Sequence, residues 1–431
     1  MSEGKSDQAW SRILQDHPNI LSNVEQGSVQ NIEASLIKRY REPRLMTKHD
    51  TSEAVPSTLK RNHLDVLPIS RKSYEIGDVI LYQDFPQKPP VKTICYSLPN
   101  LETLTIKNIT SESNAINALN ISGILEHFLD VEGLQETFNG RMGSGNFTFR
   151  VDREDHQVPA EINVNGAQIE IDGGFECDDC IVIMEAKNVL HPDFNIRQLY
   201  YPFRKYRSFV RKPIRLVFSQ YVNMSFRLLE YEFEDPEYYN SIRLVQEQSY
   251  TLEDSRITPA DIQDVWNRTV VQTDDDPASL NVPFIQADKL DRIIALMERL
   301  KSAPNYTMTT EEVAEFLDMV PRQANYYPAA GIYLGVLERS EPSTISLSKR
   351  GLDILNSNRK WRILSIIGAM FEHRIFHDMY RLMRQTDRIP SINTIADEMR
   401  TLNICASDST TTRRACTVRA WLLWINERTN E

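Results

Sequence analysis

Between Ala160 and Lys187 the alternation of apolar and polar residues changes character twice. Ala160, Ile162 and Val164 alternate with Glu161, Asn163 and Asn165, and Ile169 and Ile171 alternate with Gln168, Glu170 and Asp172. A period of two is that of a strand with one buried face, so Ile169 and Ile171 are expected to point inward and Glu170 and Asp172 outward. Asn165-Gly166 between the two runs is the favoured two-residue hairpin turn, which would set the register and thereby the face that Asp172 occupies. Gly173-Gly174 is expected to end this strand. After a short turn over 175–179 comes Cys180-Ile181-Val182-Ile183-Met184-Glu185-Ala186-Lys187, apolar almost throughout. In a second strand there, Glu185 and Lys187 share one face while Val182, Met184 and Ala186 share the other. Residues 194–210 follow with helical spacing, Ile196, Leu199, Tyr200, Phe203 and Tyr206 facing the sheet. Pro202 predicts a kink or a new helix start. Pro213 to Ser219 completes a strand–strand–helix–strand order.

Elsewhere the pattern divides the chain. Residues 1–110 read as an N-terminal α/β segment, with helical stretches over 9–14 and 28–40 and strands near 67–71, 74–77 and 79–82. Residues 111–247 form the central unit, entered by an amphipathic helix over 115–130 and a glycine-rich turn, Gly140 to Asn146. Its glycines fit a tight loop or a close approach to a ligand, but nucleotide-hydrolase loop spacing is absent. A polar, acidic linker is expected over 248–284, with a short helix from Pro259 to Arg268. Residues 285–356 contain three helices and a hairpin-like pair. Thr309-Thr310-Glu311-Glu312 caps the second helix, and Arg322, Gln323, Asn325 and Tyr326 open the third. Residues 357–431 read as helical, with a second helix-turn-helix-like pair near 392–396 and 409–419. No fixed-period repeat is seen.

Composition narrows the class. With 431 residues, 41% hydrophobic and 25% charged, the chain is long enough for several ordinary globular domains. No apolar run approaches the length of a bilayer span, and the first residues lack a signal-peptide layout, so a cytoplasmic location is expected. Five cysteines argue against a disulfide framework. Cys177 and Cys180 form a C-x-x-C without a second knuckle, which reads as a turn instead of a zinc site. The net charge of −11 speaks against indiscriminate nucleic-acid coating. Yet residues 194–229 hold no acidic side chain and eight basic ones, among them Arg197, Arg204, Lys205 and Arg207. Such a block beside an acidic site is where a phosphate backbone would lie.

Asp172 on one strand and Glu185 with Lys187 on the next supply two carboxylates and an ammonium. Alone, an E-x-K on a strand is usually a solvated face or a cross-strand ion pair. In this order it equips a site to bind a hard divalent cation and activate water beside a phosphodiester. The combination of Gly140-Arg141-Met142-Gly143-Ser144-Gly145, Glu170-Ile171-Asp172-Gly173-Gly174, Glu185-Ala186-Lys187-Asn188 and Asn195-Ile196-Arg197-Gln198-Leu199-Tyr200-Tyr201-Pro202 resembles bacterial type II restriction endonucleases with a PD-(D/E)XK core and C-terminal winged-helix modules. Pro68-Ile69-Ser70-Arg71 and the stretch from Thr412 to Trp421 fit the same pattern, so the likeness spans most of the chain. One departure is that the first acid follows isoleucine instead of proline.

The resemblance implies a mixed α/β (α+β) fold and Mg²⁺ bound by Asp172, Glu185 and the Ala186 carbonyl. Lys187 would orient or help deprotonate the attacking water. Glu126 and Gln198 are candidates for supporting metal or phosphate contacts. DNA contacts would come from Arg141, Arg197, Arg204, Lys205, Arg207, Arg322, Gln323, Asn325, Arg413 and Arg414. Double-stranded DNA is the expected substrate, a homodimer the expected assembly, and a cognate DNA methyltransferase the expected functional partner. Two other readings stand beside this one: a non-catalytic winged-helix DNA-binding regulator and a structure-selective repair nuclease.

Overall fold

The protein is described by a computed structural model covering residues 4–87, 93–106, 109–253, 256–272, 284–405 and 407–429. It is mixed α/β, and four hydrophobic cores divide it. The first core runs from Ala9 to Ile76. Around it lie α1 (Lys5–Asp16), α2 (Asn19–Glu25), β1 (Gln30–Glu33), α3 (Ala34–Lys38), α4 (Pro43–Thr47), α5 (Ser57–Arg61), β2 (Asp65–Pro68) and β3 (Ser73–Gly77), the strands forming a small sheet in the order β1-β3-β2. The stretch 28–40, expected as one helix, is therefore a strand followed by a five-residue helix. From Val79 onward side chains pack into the central cores, so the last third of the expected N-terminal segment folds with the middle of the chain.

The central unit contains β4 (Tyr82–Asp84), β5 (Thr93–Cys95), α6 (Glu112–Ile121), α7 (Ile124–Leu129), β6 (Gln135–Gly143), β7 (Asn146–Val151), β8 (Ala160–Asn165), β9 (Gln168–Glu176), β10 (Ile181–Lys187), β11 (Asp193–Asn195), α8 (Arg197–Arg207), β12 (Ile214–Val222), β13 (Ser225–Phe233) and β14 (Ile242–Thr251). Seven strands form one sheet in the order β5-β14-β13-β12-β10-β9-β6. β10 runs parallel to β12, which requires the α8 crossover between them, and antiparallel to β9. Both faces of β10 are buried. Ile183 packs in the core beneath α8, and Val182, Met184 and Ala186 pack in the core beneath α6 and α7. That double burial explains the almost unbroken apolar run.

Three local expectations change. The helix expected over 115–130 is two helices, because Gly123 takes a left-handed conformation (φ +76°) between them. The Asn165-Gly166 turn does not join a hairpin. β8 pairs with β7 in a separate two-stranded ribbon, and the turn leads the chain into β9, which pairs with β6 and β10. Asn165 N–H donates to the Ile69 carbonyl at 2.7 Å, so the turn's outward bonds go to other segments. The position of Asp172 is thus set by β6 and β10, not by that turn. Third, Gly173 and Gly174 lie inside β9 instead of ending it. Strict alternation would put Phe175 with Ile171, yet Ile171 packs beneath α8 and Phe175 beneath α6 and α7. β6 is irregular on either side of Phe138, and that ring and backbone press against Gly174.

The C-terminal unit comprises α9 (Pro259–Arg268), α10 (Leu290–Ser302), β15 (Thr307–Thr309), α11 (Thr310–Phe316), α12 (Pro321–Ala324), α13 (Tyr326–Tyr333), β16 (Leu337–Glu341), β17 (Thr344–Leu347), α14 (Lys349–Asn356), α15 (Arg359–Phe371), α16 (Arg374–Thr386), α17 (Ile392–Thr401) and α18 (Asp408–Glu427). The expected helix α9 is present, its start closed by a Thr258–Asp261 capping box. The acidic stretch 273–277 of the expected linker lies outside the described residues. Thr309 and Glu312 form the expected capping box on α11. The third helix of this region is split into α12 and α13 at Asn325. β15, β17 and β16 form a three-stranded sheet in that order. One core runs from Ile257 to Ile425, joining the two C-terminal segments that the sequence pattern separates.

Buried Arg292 ties the units together. It donates to Glu53 at 2.6 Å, to the Leu190 carbonyl at 2.6 Å and to the Tyr327 hydroxyl at 3.1 Å. A second contact places the β12–β13 turn on the C-terminal unit, where Asn223 N–H donates to Glu298 and Arg359 donates to the Asn223 carbonyl.

A Cβ added at Gly174 would lie 2.2 Å from the Phe138 ring and 2.4 Å from its carbonyl oxygen. Backbone cannot move aside as a flexible side chain can, so Gly174→Ala should cost about 3 kcal/mol in urea unfolding, the upper part of the overpacking range. At Gly166 nothing crowds the added methyl and only the left-handed φ is strained, so Gly166→Ala should cost about 1 kcal/mol.

Candidate active site

The pairing of β9 with β10 brings the sequence-predicted trio together. Asp172 accepts a hydrogen bond from the Ala186 N–H at 3.0 Å, and Lys187 Nζ donates to Glu185 Oε1 at 2.7 Å. Gln198, in the first turn of α8, also donates to Glu185 Oε1. Pro202 lies inside α8 and has no N–H for the Gln198 carbonyl four residues earlier. Among the described residues none donates to the second oxygen, Oε2, of Glu185.

Three further carboxylates approach this centre. Glu112, in the first turn of α6, reaches Lys187 Nζ at 4.0 Å. Asp50 comes from the N-terminal unit and pairs with Lys48 at 3.3 Å and Arg197 at 3.8 Å. Asp318, between α11 and α12, has its carbonyl hydrogen-bonded by Thr51 at 3.2 Å. Burial raises the Asp50 carboxyl, but Lys187, Lys48 and Arg197 outweigh it and hold the group at about 2. Burial, reinforced by Asp50, pushes Asp318 up to about 7. Glu185 is raised well above the ordinary value by burial and then by Asp172. Burial alone would lower Lys187, but Glu185, Glu112, Asp50 and Asp172 overcome it and hold the ammonium charged.

The donor set is all oxygen on the acidic side, which suits a hard cation. Two carboxylates buried beside one another are destabilised by their like charge, and a divalent ion between them offsets that charge. Among the described residues no group of three or more His, Cys, Asp and Glu is arranged to hold a metal. Mg²⁺ requires no such cage, since it keeps several waters and uses one or two carboxylates. Asp172, Glu185 and the Ala186 carbonyl fit that mode of binding.

The remaining sequence-predicted residues fall into three groups. Glu126 is on α7, as expected, but accepts from the Leu134 N–H at 2.9 Å, and the helix glutamate facing Lys187 is Glu112. Much of the basic block is spent inside the fold. Arg204 donates to the Thr148 and Pro236 carbonyls and stacks on Phe147, and Lys205 donates to the Gly143 carbonyl at 2.7 Å. Arg207 lies over Phe203, and exposed Arg141 pairs with Glu170. The expected phosphate track thus loses Arg204 and Lys205, whose donors bind carbonyls, and keeps Arg197 with exposed Arg207 and Arg211. Arg322, Gln323 and Asn325 are exposed at the start of α12 and at its junction with α13. Arg413 is exposed on α18, but Arg414, expected at a DNA contact, is buried and donates to the Ile285 carbonyl at 3.1 Å, so its side chain is not on the surface.

Asp50 and Glu112 escaped the sequence reading because nothing local marks them. Asp50 lies more than a hundred residues before the strands, and Glu112 reads as an ordinary acid in the first turn of a helix.

Three family models match the chain, each described as a domain of unknown function: DUF6996 over residues 7–76, DUF6997 over 77–251 and DUF7226 over 292–430. The first ends at β3, with the N-terminal core, whereas the third begins inside α10, after Ile257, Ile262 and Phe284 of the core it shares. No curated protein and no solved structure matches the chain. Among the described residues, no helix is long and apolar enough to cross a membrane.

The burial of Arg414 gives a prediction that separates structure from recognition. Arg414→Ala should lower stability by about 1–3 kcal/mol, because the Ile285 carbonyl loses its donor. Arg413→Ala should leave the thermal midpoint unchanged, as expected for an exposed site. Differential scanning calorimetry of both variants checks the contrast.

Proposed function

We propose that the chain is a Mg²⁺-dependent endonuclease of the type II restriction class, acting on double-stranded DNA through a PD-(D/E)XK centre. The observation that carries this reading is the junction of β9, β10 and α8, where Lys187 and Gln198 donate to the Glu185 carboxylate and Asp172 accepts from the adjoining Ala186 N–H. The order β9-β10-α8-β12, with β10 parallel to β12, supports the fold reading. In the C-terminal unit, the helix order and the three-stranded sheet support a winged-helix module, with Arg322, Gln323 and Asn325 able to read base edges.

Asp172, Glu185 and the Ala186 carbonyl would hold Mg²⁺, and the bound ion would supply acidification of a water and compensation of phosphoryl charge. Gln198 and Lys187 fix the Glu185 carboxylate. The Lys187 ammonium donates to the attacking water or to a phosphoryl oxygen as negative charge develops there. Attack at phosphorus with departure of the 3′ oxygen leaves 5′-phosphate and 3′-hydroxyl ends. A symmetric target cut on both strands suits a homodimer. A host carrying such an enzyme needs its own sites protected, which is the role of a cognate methyltransferase.

Plasmid or phage DNA incubated with the protein and Mg²⁺ should give discrete fragments that vanish when EDTA is added. A smear or junction-only cutting would replace this reading with a structure-selective nuclease, and binding without cutting with a DNA-binding regulator. Lys187→Ala should lower the cleavage rate by roughly 10²–10³ while leaving duplex affinity in Ca²⁺ unchanged. Unimpaired cutting by that variant would remove Lys187 from the centre.

A further inference from the structure

Asp50 belongs to the N-terminal unit, yet its surroundings are those of the centre. Asn195 N–H donates to the Asp50 carbonyl at 2.8 Å, and Asn195 Nδ2 donates to the His49 carbonyl at 3.1 Å. Ser52 N–H donates to Asp193 at 2.7 Å. These bonds lay residues 49–52 along β11, immediately before α8. The Asp50 side chain is only 10% exposed, with Lys48 against one oxygen and Arg197 against the other.

Within the basic block Arg197 adjoins the centre, whereas exposed Arg207 and Arg211 lie at and beyond the far end of α8. Arg197 is the first residue of α8, beside Gln198, and its guanidinium lies 6.0 Å from the Tyr201 ring. Arg204, Arg215 and Arg227 donate hydrogen bonds to carbonyls or carboxylates of the fold. At 3.8 Å from Asp50, Arg197 makes an ion contact too long for a hydrogen bond. Among the described residues its side chain donates no hydrogen bond. A guanidinium steered by a carboxylate and a ring, with its N–H fork unspent, matches what a phosphate group recognises.

We infer that Asp50 is a positioning residue of this centre: its carboxylate aims Arg197 at a backbone phosphate of bound DNA, and the N-terminal unit is thereby part of the cleaving machinery. The inference rests on the nuclease reading above, and it concerns a residue outside the β9–β10 trio.

The test is a double-mutant cycle on the full chain with Asp50→Asn, Arg197→Gln and both together. Duplex affinity is measured in Ca²⁺ and cleavage rate in Mg²⁺, alongside thermal midpoints. Arg197→Gln should weaken duplex binding and slow cleavage by about tenfold, Asp50→Asn should reproduce most of that loss, and the double variant should be no worse than Arg197→Gln alone. Asp50→Glu, which keeps the charge, should restore part of the affinity. Asp16→Asn, whose carboxylate accepts from Tyr40 away from the centre, should behave as wild type. Additive losses, or wild-type behaviour of Asp50→Asn, would overturn the inference. An Asp50→Asn chain that merely unfolds shifts the decision to Asp50→Glu, where loss of affinity with an intact midpoint supports it and no change refutes it. If the wild type binds duplex without cutting, the nuclease reading falls and the affinity cycle still decides the role of Asp50. A chain that binds no duplex overturns both.

Discussion

Arg292 holds three parts of the chain against one another with a single buried charge. Its guanidinium reaches Glu53 of the N-terminal unit, the Leu190 carbonyl beyond β10, and Tyr327 of the C-terminal unit. Removing water from a guanidinium costs several kcal/mol unless its donors are satisfied, so the burial is tolerable only while all three partners are in place. The requirement makes their mutual arrangement a condition of folding, and it fixes the segment 49–53 and the α11–α12 turn beside the strand that carries Glu185 and Lys187.

That arrangement concentrates charge at the end of β10. Lys187 is surrounded by Glu185, Glu112, Asp50 and Asp172, and the carboxylates respond in opposite directions. Asp50, with three cations near it, stays ionised to about 2, whereas Glu185 is raised by burial and then by Asp172, despite its bond to Lys187. Asp50 has Lys48 and Arg197 beside it, whereas Glu185, bonded to Lys187, also faces the like charge of Asp172.

The sequence carried the centre because its residues are close together on two paired strands. Alternation within β10 put Glu185 and Lys187 on one face, and the helical spacing of α8 put Gln198 near them. Legibility failed where geometry depends on distant partners. Asn165-Gly166 has the local chemistry of a hairpin, but β8 finds a better partner in β7, and the register of β9 is decided by β6. Gly173-Gly174 looks like a strand end and is instead the place where Phe138 crosses. The basic block was read correctly as composition and too generously as surface, since Arg204, Lys205 and Arg414 donate to backbone carbonyls that no sequence pattern reveals. Asp50 and Glu112 show the same limit from the other side, being ordinary acids until the fold carries them to Lys187.

The start of the split third helix has a consequence for which of its residues can be exchanged. Arg322, Gln323 and Asn325 are exposed, whereas Tyr327, two positions further on, is buried and bonded to Arg292. Exchange at the first three positions leaves every core and the Arg292 contact untouched. Exchange at Tyr327 disturbs the joint among all three units. Side chains on this short, exposed row can therefore be exchanged without loosening the joint that Tyr327 makes beneath it.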